Sequence, residues 1–400
     1  REIENTENIY KRILKINKNY IPAIINLAIF YEGIGKIDNA IKYYEMAKDL
    51  EPNNLNFYYS LIRICPNYLN DKKINFVKDL VKREKIPKKA KFLAKLIFSE
   101  NYEKKKDHLN EIKFLELSQK EFLEHNVDKK SQEYWSDVIP YYCNHFTYKG
   151  TNKSIQKNIN PIFIIGLPRS GSTITELILS TSKTSKSVLG ESDLINYTLI
   201  NNYGEKLFDK PKNKNIEIDI NLIEKEILSN LKNFNISNFD KLIFIDKSLE
   251  NFFYIDLIIK IFPKAKFVIT ERNIADNIIG IYKKVLLNIP WAHSISHIIE
   301  YINNYKNIIN FYKEKYNNNF ISIKLDDLQN LNKKKVENLF NFCNLEFNEK
   351  YFEFQKNKLF IDNASNIQIR NKLYKSEYNK YKKYYHLLND YEKKYSWIKF

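Results

Sequence analysis

Residues 161–180 read PIFIIGLPRSGSTITELILS, and this stretch decides the fold. A short apolar run at 162–165 meets a Gly-rich turn, and apolar residues then recur at helical spacing, at Ile174, Leu177 and Ile178. This order predicts a strand, a phosphate-binding loop and a helix. In such a unit the backbone N–H groups and the helix N-terminus converge on one point, so that an anion can bind there.

The loop nearly fits the Walker A pattern, in which a Gly-rich turn is followed by a lysine and then by serine or threonine. Gly166 and Gly171 have the required separation, and Thr173 stands at the hydroxyl position. Ser172 occupies the place of the lysine, which in nucleotide triphosphatases neutralises the terminal phosphates. We therefore expect a loop that holds phosphate but is poorly suited to ATP hydrolysis, with Arg169 supplying positive charge from another direction.

From residue 161 onward, apolar runs that read as strands alternate with amphipathic helical stretches. The runs fall at 162–165, 242–245, 267–269 and 320–323. This alternation predicts an α/β fold, a P-loop-like parallel sheet flanked by helices. Because ligands of such sheets bind at the carboxyl ends of the strands, we expect the site residues at that edge.

The first part of the chain reads as helices. Residues 21–54 have the spacing of one tetratricopeptide (TPR) repeat, with small residues such as Ala28 and Ala40 where two antiparallel helices would approach each other. Charged helical segments are predicted at 89–99 and 102–123, followed by a polar linker at 149–160. The predicted domains are therefore 1–157, a TPR-like all-α domain with connecting helices, and 158–400, the α/β domain.

Composition narrows the class of protein. The 400 residues carry a formal net charge of +17, but the lysines are scattered, which favours a solvated surface over a nucleic-acid interface. Three distant cysteines without metal or disulfide spacing are typical of a reducing compartment. No apolar run reaches the roughly 18 residues of a membrane span. We expect a cytoplasmic protein of bacterial type, although a start at Arg1 instead of Met is also compatible with a fragment.

The segment GLPRSGST resembles the 5′-phosphosulfate loop of sulfotransferases that use 3′-phosphoadenosine-5′-phosphosulfate (PAPS). The likeness is greatest to the tyrosylprotein sulfotransferase group and its bacterial relatives with TPR repeats. Four motifs in the same order extend it from about residue 158 to residue 381. The resemblance implies a sulfotransferase fold and metal-free transfer of a sulfuryl group from PAPS to an acceptor hydroxyl. It assigns the 5′-phosphosulfate to Arg169, Ser170, Gly171, Ser172 and Thr173.

Two further motifs supply groups for the chemistry. A Gly-Glu pair ending at Glu191 resembles the family's pair and implies a base that takes the acceptor proton. The family has two successive glutamates here and assigns catalysis to the second, whose position in this chain is Ser192. The stretch DKSLEN resembles the family's Asp-Lys-x-x-x-Asn motif and implies that Lys247 stabilises charge on the bridging oxygen. Arg169 completes the predicted catalytic set.

The same resemblance assigns the 3′-phosphate to Arg272, at the end of a predicted strand, and to Lys284. Two positions depart from the family's pattern: Gly280 replaces a serine and Leu325 replaces a tyrosine. The stretch ASNIQIRNKLYKSEYNKY at 364–381 resembles the loop that closes over the nucleotide, and it implies cofactor contacts from Ser365, Arg370, Tyr374 and Lys380.

The residues leave other functions open. An atypical P-loop kinase or NTPase would turn over ATP with Mg²⁺, and a TPR scaffold with a decayed transferase domain would bind without transfer. The acceptor is also open, because a TPR module favours a peptide or protein whereas the transfer chemistry also suits saccharides, lipids and small alcohols. His293 and His297 lack a third ligand, so we expect surface or groove residues and no metal.

Overall fold

The computed structural model describes residues 2–65, 67–83, 85–150, 159–208, 215–236, 242–356 and 381–400. These residues fall into two compact units, one up to Asp128 and the other from Lys129 onward. The helical residues 129–142, which precede the predicted domain boundary at 157, thus belong to the second unit. The boundary itself falls outside the described residues, and the domain assignment stays a prediction.

The first unit is helical throughout the residues described. Its small predicted contact residues Ala28 and Ala40 are fully buried, as close helix packing requires. The predicted break near residue 100 is wrong, since the chain turns only at Asp107, whose side chain caps the last helix by accepting from the Asn110 backbone N–H at 3.2 Å. The all-α character is confirmed, and the TPR identity stays a prediction. The helices are α1 (Glu2–Ile16), α2 (Ile21–Gly33), α3 (Ile37–Leu50), α4 (Leu55–Ile64), α5 (Asp71–Lys82), α6 (Lys91–Lys104) and α7 (His108–His125).

The second unit contains two parallel sheets and the remaining helices. The strands are β1 (Phe146–Lys149), β2 (Asn160–Gly166), β3 (Ser187–Gly190), β4 (Ile216–Asp219), β5 (Ile243–Asp246), β6 (Lys266–Glu271) and β7 (Phe320–Lys324). The helices are α8 (Lys129–Glu133), α9 (Ile139–Tyr142), α10 (Ser172–Ser180), α11 (Leu194–Phe208), α12 (Ile220–Leu231), α13 (Ile255–Ile261), α14 (Ile274–Lys284), α15 (Ile295–Lys315), α16 (Leu325–Gln329), α17 (Lys333–Phe342) and α18 (Asn389–Lys394).

The main sheet has five strands in the order β3-β5-β2-β6-β7, all parallel. The predicted parallel sheet flanked by helices is therefore confirmed. The four predicted strands are present as β2, β5, β6 and β7, whereas the edge strand β3 and the separate pair β1–β4 were not predicted. Since β2 comes first along the chain and lies in the middle, the strand order reverses around it. The loop after β2 thus begins at a topological switch point.

A layer of aromatic rings joins the three central strands. Phe163 on β2 stacks on Phe267 of β6 with ring centres 5.6 Å apart, and it meets Phe244 of β5 edge-on at 5.9 Å. All three side chains are fully buried. Burying one such ring contributes roughly 1.5–3 kcal/mol, so this layer fixes the three strands whose ends carry the candidate site.

The last residue of β2 allows no side chain. Gly166 has a φ of +150°, and a Cβ there would lie 2.6 Å from Thr270 Oγ1 and 2.9 Å from the Thr270 backbone oxygen. Replacement by alanine would therefore force β2 away from β6, and we expect Gly166→Ala to lower the free energy of unfolding by roughly 2–4 kcal/mol. Denaturant unfolding of the full chain measures this loss.

Gly204→Ala is the matched control, because Gly204 lies inside α11 and a Cβ there would meet its nearest neighbour, Ile200 Cγ2, at an ordinary 3.5 Å. We expect this variant to gain about 0.5–1 kcal/mol from its better helix propensity. Equal stabilities of the two variants would contradict the assigned close approach.

Candidate functional site

The loop after β2 contains two residues with left-handed backbone. Arg169 has a φ of +68° and Gly171 a φ of +103°. A non-glycine residue in this region costs on the order of 1 kcal/mol or more, and such strain is concentrated at functional loops. A Cβ at Gly171 would lie 2.9 Å from Leu325 Cδ1, so Leu325 packs directly against the loop. Leu325, which stands where the family's pattern has a tyrosine, is thus a packing residue in this chain.

The Ser170 side chain shapes the loop from inside. Its hydroxyl oxygen lies 2.6 Å from the Leu167 backbone oxygen and 2.6 Å from Thr270 Oγ1, and the residue is 1% exposed. Its backbone N–H also donates to Leu167, at 3.3 Å. In this structure Ser170 therefore ties the loop to β6, and a nucleotide contact through its hydroxyl would require breaking these bonds.

The next two predicted contacts open the helix that follows the loop. Ser172 and Thr173 are both largely buried at the start of α10, which runs for nine residues. Its N-terminal N–H groups and the helix dipole favour an anion at this end. The loop is held to the neighbouring helix α14 by Asn277, whose side-chain amide donates to the Pro168 backbone oxygen at 2.6 Å.

The two predicted arginines are neighbours in space. Arg272 follows β6, and its Nη1 donates to the Arg169 backbone oxygen at 3.3 Å. Its Nη2 lies 3.7 Å from the carboxylate of Asp276. Burial lowers the pKa of Arg169, and the nearby Arg272 lowers that pKa as well. Because adjacent guanidinium groups repel each other, this pair favours binding of an anion.

Helix α14 presents one face to this arginine pair. A Cβ on Gly280 would lie 3.6 Å from Arg272 Nη1 and 3.9 Å from Arg169 Cβ. Lys284 comes four residues later, one helical turn further on the same side, and it is partly buried. The side chain of Lys284 therefore extends the basic character of this face beyond the two arginines.

The predicted base and the predicted catalytic lysine form an ion pair. Lys247 Nζ lies 2.5 Å from Glu191 Oε1, and the lysine side chain is 2% exposed whereas that of Glu191 is 53% exposed. Glu191 directly follows β3, the edge strand that was not predicted. The Lys247 backbone N–H donates to the Gly190 oxygen at 2.8 Å, which fixes the two strand ends side by side.

A buried carboxylate organises the ends of β3 and β5. Asp246 is 0% exposed, and it accepts from Ser192 Oγ at 2.5 Å, from the Ser248 backbone N–H at 2.7 Å and from Asn251 Nδ2 at 3.1 Å. Burial raises its pKa, and the hydrogen bonds from Ser192 and Ser248 lower it. Ser192, at the family's second glutamate position, is thus engaged in holding the chain beside Lys247.

One titratable residue of the site was missed. Glu176 lies on α10, is 7% exposed, and its Oε1 has no hydrogen-bond partner among the described residues. Burial raises the pKa of Glu176 to about 7, Lys247 lowers it, and Glu191 and Asp246 raise it. The sequence feature that could have identified Glu176 is its place as a carboxylate among the apolar positions of TITELILS.

Several predictions on site residues have other outcomes. Ser365, Arg370, Tyr374 and Lys380 lie outside the described residues, so their nucleotide contacts stay predictions. The predicted surface position of His293 is wrong, because this residue is 2% exposed. Burial also lowers its pKa to about 4. Within the described ranges, no cluster of three or more His, Cys, Asp or Glu side chains could hold a metal ion. No helix in the described part of the chain is both long and apolar enough to cross a membrane.

The raised pKa of Glu176 predicts a pH-dependent stability. The folded state favours the protonated carboxyl of Glu176. The contribution of this carboxyl to the free energy of unfolding is therefore fully present below pH 4.5 and is lost as the pH rises through about 7. We therefore expect Glu176→Gln to gain stability relative to the wild type at pH 8 compared with pH 5, by up to about 3 kcal/mol. Thermal unfolding at the two pH values measures this difference, and Glu205→Gln, at an exposed position, is the control. A pH-independent difference for Glu176→Gln would contradict the assignment.

Part of the chain is similar to known proteins. Residues 161–349 match the sequence model of the sulfotransferase family. An uncharacterized protein of Aquifex aeolicus is 23% identical over 329 residues, which are 78% of this chain and 42% of that protein. The chain therefore spans less than half the length of this curated relative.

Two solved structures are also similar. The sulfotransferase domain of an olefin synthase from Synechococcus PCC 7002 is 15% identical, with a TM-score of 0.40, over 58% of this chain and 91% of that domain. A sulfotransferase from Mycobacterium avium is 8% identical, with a TM-score of 0.32, over 82% of this chain and 97% of that protein. The segment that matches the sulfotransferase family, 161–349, contains the loop after β2, Glu191, Lys247 and Arg272.

Proposed function

We propose that this protein transfers a sulfuryl group from PAPS to an acceptor hydroxyl. The proposal is carried by one observation, the placement of Lys247, the phosphate loop with Arg169, and Arg272 after three adjacent parallel strands, β5, β2 and β6. Neighbouring strands lie about 4.8 Å apart, so these cationic groups are distributed over roughly 10 Å of the sheet edge. A nucleotide with phosphate groups at both its 5′ and 3′ positions suits such an arrangement.

The residues have distinct roles in the proposed reaction. Glu191 takes the proton of the acceptor hydroxyl, whose oxygen then attacks sulfur in line with the leaving group. The new bond joins the acceptor oxygen to sulfur, and the bond between sulfur and the bridging oxygen of the 5′-phosphate breaks. Lys247 and the loop stabilise the charge left on that phosphate. The products are a sulfate ester and adenosine 3′,5′-bisphosphate.

The ion pair between Glu191 and Lys247 fits this division of roles. The lysine is buried and the carboxylate is half exposed, so the cation lies on the inner side of the pair and the base on the side open to an acceptor. An anionic leaving group beside Lys247 would compete with Glu191 for the ammonium and release the carboxylate. A positioned base of this kind contributes roughly 10²–10⁴-fold to the rate.

The acceptor and the setting are further parts of the proposal. The TPR-like spacing at 21–54 and the paired helices α2 and α3 favour a peptide or protein acceptor. A cytoplasmic location, expected from the cysteine pattern, belongs to the same proposal.

The reaction uses no metal, and Ser172 in place of the Walker lysine speaks against an ATP-hydrolysing kinase or NTPase.

Nucleotide binding is the first test. We expect the full chain to bind adenosine 3′,5′-bisphosphate in isothermal titration, and Arg272→Ala to weaken binding about 10- to 100-fold, because charge-assisted hydrogen bonds are lost. Arg83→Ala, at an exposed arginine of the first unit, is the matched control and should bind like the wild type. Absence of binding by the wild-type chain, with Mg²⁺-dependent ATP turnover in its place, would favour a kinase or NTPase.

Transfer itself is tested with ³⁵S-labelled PAPS and host lysate fractions as the source of acceptors. We expect Lys247→Met, which keeps an unbranched apolar stem in the buried position, to lower labelling at least 10²-fold while affinity for the bisphosphate falls far less. Glu205→Gln should leave labelling unchanged. Wild-type labelling by Lys247→Met would remove the role assigned to the lysine, and binding without labelling by the wild-type chain would favour the non-catalytic scaffold.

A further inference from the structure

Tyr381 lies against the arginine pair, although it comes after the segment that matches the sulfotransferase family. The centre of its ring is 5.5 Å from Cζ of Arg272, within the range of a cation–π contact. Its backbone N–H donates to Asp276 Oδ1 at 3.2 Å. The residue is partly buried.

Asp276 positions both the tyrosine and the arginine. This carboxylate is 5% exposed on α14, and its Oδ2 lies 3.7 Å from Arg272 Nη2. Its Oδ1 accepts from the Tyr381 backbone and also from the Tyr385 hydroxyl, at 2.9 Å. Since one buried carboxylate contacts both groups, the placement of Tyr381 beside Arg272 is built into the fold.

The ring of Tyr381 takes the space that Gly280 leaves. A Cβ at position 280 would lie 3.3 Å from Tyr381 Cε2, and the same Cβ would lie 3.6 Å from Arg272 Nη1. A side chain at position 280 of α14 would therefore face the arginines. In this chain the ring of Tyr381, about one hundred residues later, lies there instead.

The electrostatics of the cluster explain what a phenol can add there. Burial lowers the pKa of Arg169, Tyr381 opposes that shift, and Arg272 adds to it, which places the tyrosine within electrostatic range of Arg169. Arg272 already supplies the charge for the 3′-phosphate. A neutral hydroxyl adds a directional donor to a phosphate oxygen without adding repulsion.

We propose that the Tyr381 hydroxyl binds the 3′-phosphate held by Arg272, and that this contact makes the site prefer a nucleotide with a 3′-phosphate over one without it. The inference rests on the proposed function, because it takes the nucleotide to be an adenosine bisphosphate. Tyr381 is thereby a specificity-determining residue, with the base and the lysine unaffected.

The test compares two probes, adenosine 3′,5′-bisphosphate and adenosine 5′-monophosphate, with the weaker one measured by competition in isothermal titration. We expect Tyr381→Phe to raise the Kd for the bisphosphate about tenfold or more, since one hydrogen bond to a charged group is lost, and to leave the Kd for the monophosphate within about twofold. Phenylalanine keeps the ring on Arg272. Tyr385→Phe is the matched control, because it removes a hydroxyl that donates to the same Asp276 and leaves the contacts of the 3′-phosphate in place.

Each outcome decides one question. A wild-type chain that binds neither nucleotide overturns the proposed function, and the inference with it. A wild-type chain that binds the bisphosphate, with the ratio of the two Kd values unchanged in Tyr381→Phe, overturns the inference alone. An equal change of that ratio in Tyr381→Phe and Tyr385→Phe also overturns it, because the effect would then come from Asp276. A change confined to Tyr381→Phe supports it.

Discussion

The contact between the loop after β2 and the segment that ends β6 is the constraint on which the candidate site depends. Thr270 approaches Gly166 so closely that no Cβ fits, and its hydroxyl contacts Ser170. Further along the segment, Arg272 and Asn277 hydrogen-bond to backbone oxygens of the loop. These hydrogen bonds hold the loop against the start of α14 and place the Arg272 side chain beside Arg169.

A second centre lies across β2, at the ends of β3 and β5, and its charge is the opposite of the first. The carboxylates of Glu176, Glu191 and Asp246 surround the buried ammonium of Lys247, and both Glu191 and Asp246 raise the pKa of Glu176. The arginine side thus suits the anionic parts of a nucleotide, and the carboxylate side suits a group that gives up a proton. Such a division separates binding from proton transfer within one sheet edge.

The sequence predicted the elements whose signals are local. The apolar runs of β2, β5, β6 and β7 were accessible from spacing alone, whereas Lys247 and Arg272, which follow β5 and β6, were singled out by resemblance to sulfotransferase motifs. The edge strand β3 was missed because it is only half-buried and carries no continuous apolar run. The state of Glu176 depends on desolvation by neighbours distant in sequence, and the inward bonding of Ser170 depends on Thr270, one hundred residues away. The burial of His293 likewise follows from tertiary packing, which the four-residue spacing between His293 and His297 does not indicate.

The position of Tyr381 bears on how this protein should be divided. Its ring and the hydroxyl of Tyr385 reach Arg272 and Asp276 from beyond residue 349, where the similarity to the sulfotransferase family stops. A fragment trimmed to that similarity would retain the loop and both arginines but would lose the ring of Tyr381 and two hydrogen-bond donors to the buried carboxylate of Asp276. Borders taken from the family match would therefore separate Arg272 and Asp276 from the C-terminal residues that contact them.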